Sequence, residues 1–168
     1  MNMNTITPRP DCAARAWVHG ALALLEQEAT RSADTHLLRL DFPGFPGIPF
    51  YFKDESVHPT GSLKHRLARS LYLYALCNGR LRPGQAVVDA SSGSTAISEA
   101  WFARMLGLQF IAVMPACTAP QKIQAVQDLG GRCDLVDDPA QVHARAAQHA
   151  AEGACHLDQF GLAERATD

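Results

Sequence analysis

Lys64 closes the run Pro59-Thr60-Gly61-Ser62-Leu63-Lys64 and opens an apolar-periodic segment that continues through His65 and Arg66. A Pro/Gly turn is a rigid bend, and an amine held by one can attack a carbonyl carbon and form a covalent bond to it. The chain has three lysines, Lys53, Lys64 and Lys122, among many arginines. Taken alone, Lys64 reads as a solvated surface side chain, because lysine is seldom buried without a partner.

The second chemistry-bearing segment is Asp89-Ala90-Ser91-Ser92-Gly93-Ser94-Thr95-Ala96, a loop of small residues between an apolar strand pattern and a helical one. Hydroxyls on Ser91, Ser92, Ser94 and Thr95, with free backbone N–H groups at the helix start, can hold a carboxylate or a phosphate without a basic side chain. The same residue types are what a helix N-cap prefers, so a plain cap is the competing reading.

In this order and spacing the two motifs resemble the cysteine synthase family of fold type II pyridoxal 5′-phosphate enzymes. Lys64 matches the lysine of the family's Gly-Ser-Leu-Lys segment, which carries the cofactor as a Schiff base. Ser91, Ser92, Gly93 and Thr95 match its substrate-carboxylate loop, and Gln159-Phe160 matches a Gln-Phe dipeptide whose glutamine contacts the same carboxylate. The likeness runs from about residue 36 to the C-terminus, and the segment from Lys53 to Arg66 looks closest to the bacterial L-cysteine desulfhydrase branch. Two departures from the general pattern fit that branch: Lys64-His65-Arg66 replaces the usual Lys-Asp-Arg, and Ser94 stands where an asparagine reaches the cofactor's ring oxygen. A water can bridge the shorter serine.

The resemblance implies that Lys64 is the catalytic base, that Lys64 and Ser94 bind pyridoxal 5′-phosphate, and that Ser91, Ser92, Gly93, Thr95 and Gln159 bind a small amino acid by its carboxylate. It implies β-elimination on L-cysteine, giving hydrogen sulfide, pyruvate and ammonia. Cysteine synthesis from O-acetylserine is the alternative, and a non-catalytic interaction module is a further one. A homodimer is implied for the full-length protein, while the cytoplasm is the default location for a sequence with neither a membrane-length apolar run nor a basic and then apolar N-terminus.

Family members are roughly twice as long and have two domains. Their later Gly-Thr-Gly-Gly-Thr phosphate loop and their pyridine-nitrogen partner have no counterpart here. Gly130-Gly131 reads instead as a helix C-cap and turn, and Gly161 to Asp168 reads as linker. The expectation is a chain truncated to the N-terminal half: residues 1–47 a helix and strand that pack on the large domain, 48–152 the small α/β domain, and 153–168 the start of the large one.

A formal net charge of −2 with both signs scattered, and no basic stripe with interleaved aromatics, argues against nucleic acid. Apolar runs are strand-length and interrupted by polar residues, which argues against a membrane span. The five cysteines, Cys12, Cys77, Cys117, Cys133 and Cys155, lack C-x-x-C spacing, so no disulfide is expected. Cys77 and Cys133 read as core side chains, and Cys117 as a loop residue. No histidine pair has metal-site spacing. His143 and His149 fall on different faces of one helix and read as solvent-exposed, while His65 reads as a surface residue or a support to the site.

These side chains need elements to carry them. Asp11 is placed to cap a helix over 12–31, followed by a strand at Leu37 to Leu40, a Pro/Gly turn through Phe42 to Gly47 that reads as a domain boundary, and a strand ending near Lys53. Then comes a βαβ rhythm: helix from Lys64, strand Ala86 to Asp89, helix Ser94 to Leu106, strand Gln109 to Met114, helix Ala119 to Leu129, strand Arg132 to Val136, helix Pro139 to Ala151. Strands apolar on both faces require a parallel sheet covered by helices, so the fold class is α/β. That is the small domain of a tryptophan synthase β-like fold, by the same resemblance. Ligands in such sheets bind beyond the strand carboxyl ends, where Ser91 to Thr95 fall. Neither G-x-G-x-x-G nor G-x-x-x-x-G-K-[ST] occurs, so a nucleotide-binding reading has no motif.

Overall fold

The computed structural model describes residues 10–32 and 34–166. Helix α1 (Pro10–Ser32) leads into an antiparallel ribbon of β1 (His36–Leu40) and β2 (Phe50–Asp54), in which Leu38 faces Phe52. Because α1 begins ahead of Asp11, that residue is not its N-cap position, and its side chain lies outside the described residues. The Phe42-to-Gly47 turn joins these two paired strands, with Phe42 set edge-on to Phe50 at 5.0 Å.

After a 3-10 turn at Glu55–Val57 come α2 (Lys64–Cys77), β3 (Val87–Ala90), α3 (Ser94–Met105), β4 (Phe110–Pro115), α4 (Pro120–Asp128) and β5 (Arg132–Val136). A second 3-10 turn, Pro139–Gln141, precedes α5 (Val142–Ala151), β6 (Cys155–His156) and α6 (Gln159–Ala166). The four strands β5-β4-β3-β6 form one sheet, parallel throughout. Every residue of the central strand β3 is buried, as a Val-Val run between two helical layers requires. Alternation along β3 sends Val87 into the larger core, packed with α1, α2 and α3, and Val88 and Ala90 into a smaller one under α5.

The α/β class and the element order expected from the pattern are therefore present. Gly130, at φ +84°, closes α4 by donating its N–H to the Gln127 carbonyl, and a Cβ on Gly131 would come within 2.7 Å of Val126 Cγ1. That fits the cap-and-turn reading of this pair.

Four expectations are corrected. Of the segment read as linker, residues 161–166 belong to helix α6 (Gln159–Ala166), and the last two lie outside the described residues. Cys77 is exposed rather than core, because the end of α2 turns it outward, and the buried cysteine is Cys155 on β6. His149 is buried rather than solvated, 2.5 Å from Asp134 on the adjoining strand β5. His65 is wholly buried and not at the surface. Among the described residues no helix is long and apolar enough to cross a membrane, and no cluster of His, Cys, Asp or Glu is disposed to hold a metal ion.

Candidate active site

The lysine turn is built from its glycine outward. Gly61 sits at φ +66° and donates its N–H to the His58 carbonyl at 2.8 Å, a left-handed conformation that a side chain would strain. Ser62 Oγ then accepts the N–H of Lys64 at 3.2 Å, which starts α2 with Lys64 as its first residue. The Lys64 side chain is half-buried, and its amine has no hydrogen-bond or ion-pair partner among the described residues.

Directly beneath, His65 Nε2 pairs with Glu28 Oε1 of α1 at 2.9 Å, while its Nδ1 meets Thr60 Oγ1 at 3.1 Å. Thr60 in turn reaches Ser98 Oγ on α3 at 3.0 Å. Burial pushes His65 below its ordinary pKa, against the pull of Glu28. Glu28 carries the opposite balance: burial works to raise it, but Ser32, His65 and Arg69 together hold it below the usual carboxylate range. His58 stacks on His65 with ring centroids 5.1 Å apart. The residue after the lysine is thus a buried strut between three helices.

At the carboxyl end of β3, the Ser91 N–H donates to the Val113 carbonyl, and Ser91 Oγ accepts the Ala96 N–H at 3.1 Å. Ser91 thus satisfies one first-turn N–H of α3 from outside the N-cap position, which is Gly93, while it also lines the cleft. Thr95 is buried and Ser94 exposed. The N–H groups of Ser94 and Thr95 have no acceptor among the described residues, as expected of the first turn of a helix.

Gln159 arrives from the far end of the chain. Its N–H donates to Asp89 Oδ2 at 3.3 Å and its side-chain Nε2 to the Ala90 carbonyl at 3.2 Å. Lys64, Ser91, Ser92, Gly93, Ser94, Thr95 and Gln159, 95 positions from first to last in a chain of 168, all line one cleft of about 510 Å³. Ser62, His143 and Phe160 also line it, with His143 edge-on to Phe160 at 5.5 Å. Sequence reasoning gave none of these three a place in the site. Ser62 was visible as part of the lysine turn, whereas nothing local announces that His143 of α5 points at the same opening.

An amine without a partner and a cradle of hydroxyls and helix-start amides, facing one opening, suit a ligand that carries both a carbonyl and an anionic group. Comparison with known proteins agrees with that chemistry. The family model described as pyridoxal-phosphate dependent enzyme matches residues 30–166. L-cysteine desulfhydrase Cds1 of Mycobacterium tuberculosis is 56% identical over 160 residues, which cover 92% of this chain and 44% of that protein. A putative cysteine synthase of Sinorhizobium fredii is 40% identical over 103 residues, covering 61% of this chain and 30% of its own. Among solved structures, O-ureido-L-serine synthase superposes with a TM-score of 0.67 at 30% identity, over 73% of this chain and 40% of that one. The chain spans less than half the length of these curated relatives.

Proposed function

Since the chain belongs to the pyridoxal-phosphate dependent enzyme family, we propose that the whole protein catalyses β-elimination on L-cysteine, releasing hydrogen sulfide, pyruvate and ammonia. The observation that carries this reading is the meeting of Lys64, the Ser91-to-Thr95 loop and Gln159 in one cleft. The 56% identity to a desulfhydrase supports the choice of reaction. The 40% identity to a putative cysteine synthase supports the alternative, replacement on O-acetylserine.

The residues present fit the aldehyde end of pyridoxal phosphate, because the Lys64 amine is uncommitted and faces the cleft. When bound, that cofactor supplies an electron sink for the pair left behind by a departing α-proton. Lys64 would hold the cofactor by its aldehyde carbon, and its amine, once free, would take the α-proton from the substrate. Ser91, Ser92, Gly93, Thr95 and Gln159 bind the α-carboxylate, so that the Cα–H bond is turned toward Lys64, a contribution of orientation rather than of acid or base. Ser94, exposed at the lip, is on this reading the residue that addresses the cofactor ring oxygen. The resemblance to cysteine synthases supports a homodimeric full-length protein with residues 48–152 as its small domain, and its location is taken as the cytoplasm.

Assay of the whole protein with each substrate tests the reaction. Sulfide release from L-cysteine is the expected outcome. Rapid cysteine formation from O-acetylserine and sulfide, with negligible release from L-cysteine, would replace the first reaction by the second.

A further inference from the structure

Under the carboxylate loop lies a pair of buried acids that the proposed chemistry does not use. Asp89 shares a face of β3 with Val87 and so points into the larger core, where it is 0% exposed. It acts there as an acceptor: Oδ1 takes the Ala90 N–H at 2.8 Å and Oδ2 takes the N–H of Gln159, while His156 Nε2 lies 3.3 Å from Oδ1 without forming a hydrogen bond. Glu99, in the second turn of α3, is also 0% exposed. Neither of its carboxyl oxygens meets a hydrogen-bond donor among the described residues, and the carboxyl of Asp89 is the neighbouring charge that bears on it.

Two ionised carboxylates facing each other out of water would be strongly unfavourable, and no lysine or arginine among the described residues pairs with either. A single proton resolves the conflict. Placed on Glu99, it turns an orphaned acceptor into a donor toward Asp89, and leaves Asp89 as the acceptor that its other contacts require.

We propose that Glu99 and Asp89 share one proton, and that the pair is the positioning device that seats Gln159 and the Ser91-to-Thr95 loop for carboxylate binding. The shared proton rests on the burial of both carboxyls and on the orphaned oxygens of Glu99, while the positioning role rests on the reading of the cleft given above. The pair joins three elements: β3 ends in the loop, α3 begins from it, and α6 starts with Gln159 on Asp89 Oδ2. From Gln159 the connection returns to the loop through the Ala90 carbonyl.

Burial pushes the Glu99 carboxyl well above its ordinary range, and the neighbouring Asp89 pushes it the same way. The other titratable groups facing the pair are Tyr72 of α2, whose hydroxyl donates to the Glu99 carbonyl, and Cys155 and His156 of β6, with Arg80 against Cys155 and on the His156 carbonyl. Loss of the proton at alkaline pH places a second negative charge beneath a site for an anion, which weakens that site.

Infrared spectroscopy of the wild-type protein at neutral pH tests the shared proton. A protonated carboxylic-acid carbonyl band is expected, displaced when the protein is grown with isotope-labelled glutamate and missing in Glu99→Gln. Glu28 and Glu55 do not contribute, since their partners hold them ionised. Wild-type protein without such a band overturns the proposal, whether or not any variant folds.

Calorimetric titration of the whole protein, saturated with pyridoxal phosphate, with L-alanine tests the positioning. Asp89→Asn is expected to weaken binding about tenfold, the loss of one hydrogen bond to a charged group. Glu99→Gln, which keeps a donor, is expected to bind like wild type near neutrality and to hold its affinity at alkaline pH, where wild type loses it. Equal affinity of wild type and Asp89→Asn at every pH would refute the positioning role. If the band is present but even wild type fails to bind L-alanine, the reading of the cleft falls and takes that role with it, and the shared proton stands.

Discussion

Arg66 grips Glu55 through two contacts, Nε to Oε2 at 2.7 Å and Nη2 to Oε1 at 3.2 Å, with Thr35 and His58 on the same carboxylate. That grip, Arg66 first, holds the Glu55 carboxyl at about 2 against an ordinary 4.5. A depressed folded-state value means that the unfolded chain binds the proton first, so the stabilisation is complete above 4.5 and is lost as pH falls toward 2. Arg66→Met is therefore expected to lower the melting temperature at neutral pH and to flatten its decline on the acid side, both read from thermal melts across that range. A variant with the wild-type acid limb would show that the contact does not set this carboxyl. The Glu99 carboxyl has the opposite sign: its folded value is raised, so its contribution is present below 4.5 and fades as pH rises through that higher value. Replacing Glu99 by Gln should remove a loss of stability at alkaline pH rather than at acid pH, measured in the same melts.

At the scale of elements, the helices that carry the lysine and the loop are held to each other by an aromatic and polar seam. Phe102 of α3 is 0% exposed, and its ring lies 4.7 Å from His65 and 6.1 Å from Tyr72, both on α2. The Tyr72 hydroxyl donates to the Glu99 carbonyl at 3.0 Å. Truncation of so large a buried ring costs about 3–5 kcal/mol, so Phe102→Ala is expected to lose that much in urea denaturation; a loss under about 1 kcal/mol would mean that this ring does not hold the two helices together. Most of these elements were legible in the chain, because each strand's apolar run and each helix's period is a local signal. Lys64 and the Ser91-to-Thr95 loop were legible for the same reason, being short motifs next to their own element boundaries. What stayed hidden depends on partners far away in sequence. His65 meets Glu28 across 37 positions and Asp89 meets Gln159 across 70, and nothing near either residue declares its partner. Asp89 did carry one readable sign, a charge in a strand otherwise apolar on both faces. The strand β6 is two residues long, too short for any periodicity to reveal.

Over the whole molecule, apolar surface is unevenly spent. The ribbon of β1 and β2 leaves Leu37 62%, Leu38 46%, Tyr51 57% and Phe52 46% exposed, and Phe45 and Ile48 in its turn are more than half exposed. An apolar patch of this kind on a folded chain favours association. The 168-residue chain is expected to sediment with a concentration-dependent mass, and the cross-strand pair Leu38→Lys with Phe52→Lys to reduce it. Sedimentation as a monomer at all concentrations would contradict this. The cleft lies beyond the carboxyl end of β3, and there the central claim is that Lys64 alone among the three lysines bonds the cofactor. Borohydride reduction of the protein after incubation with pyridoxal phosphate, followed by peptide mass mapping, reads this directly. The account predicts one label per chain, on the peptide that contains Lys64, and none in Lys64→Ala; label on Lys53 or Lys122 instead, or no label at all, would contradict it.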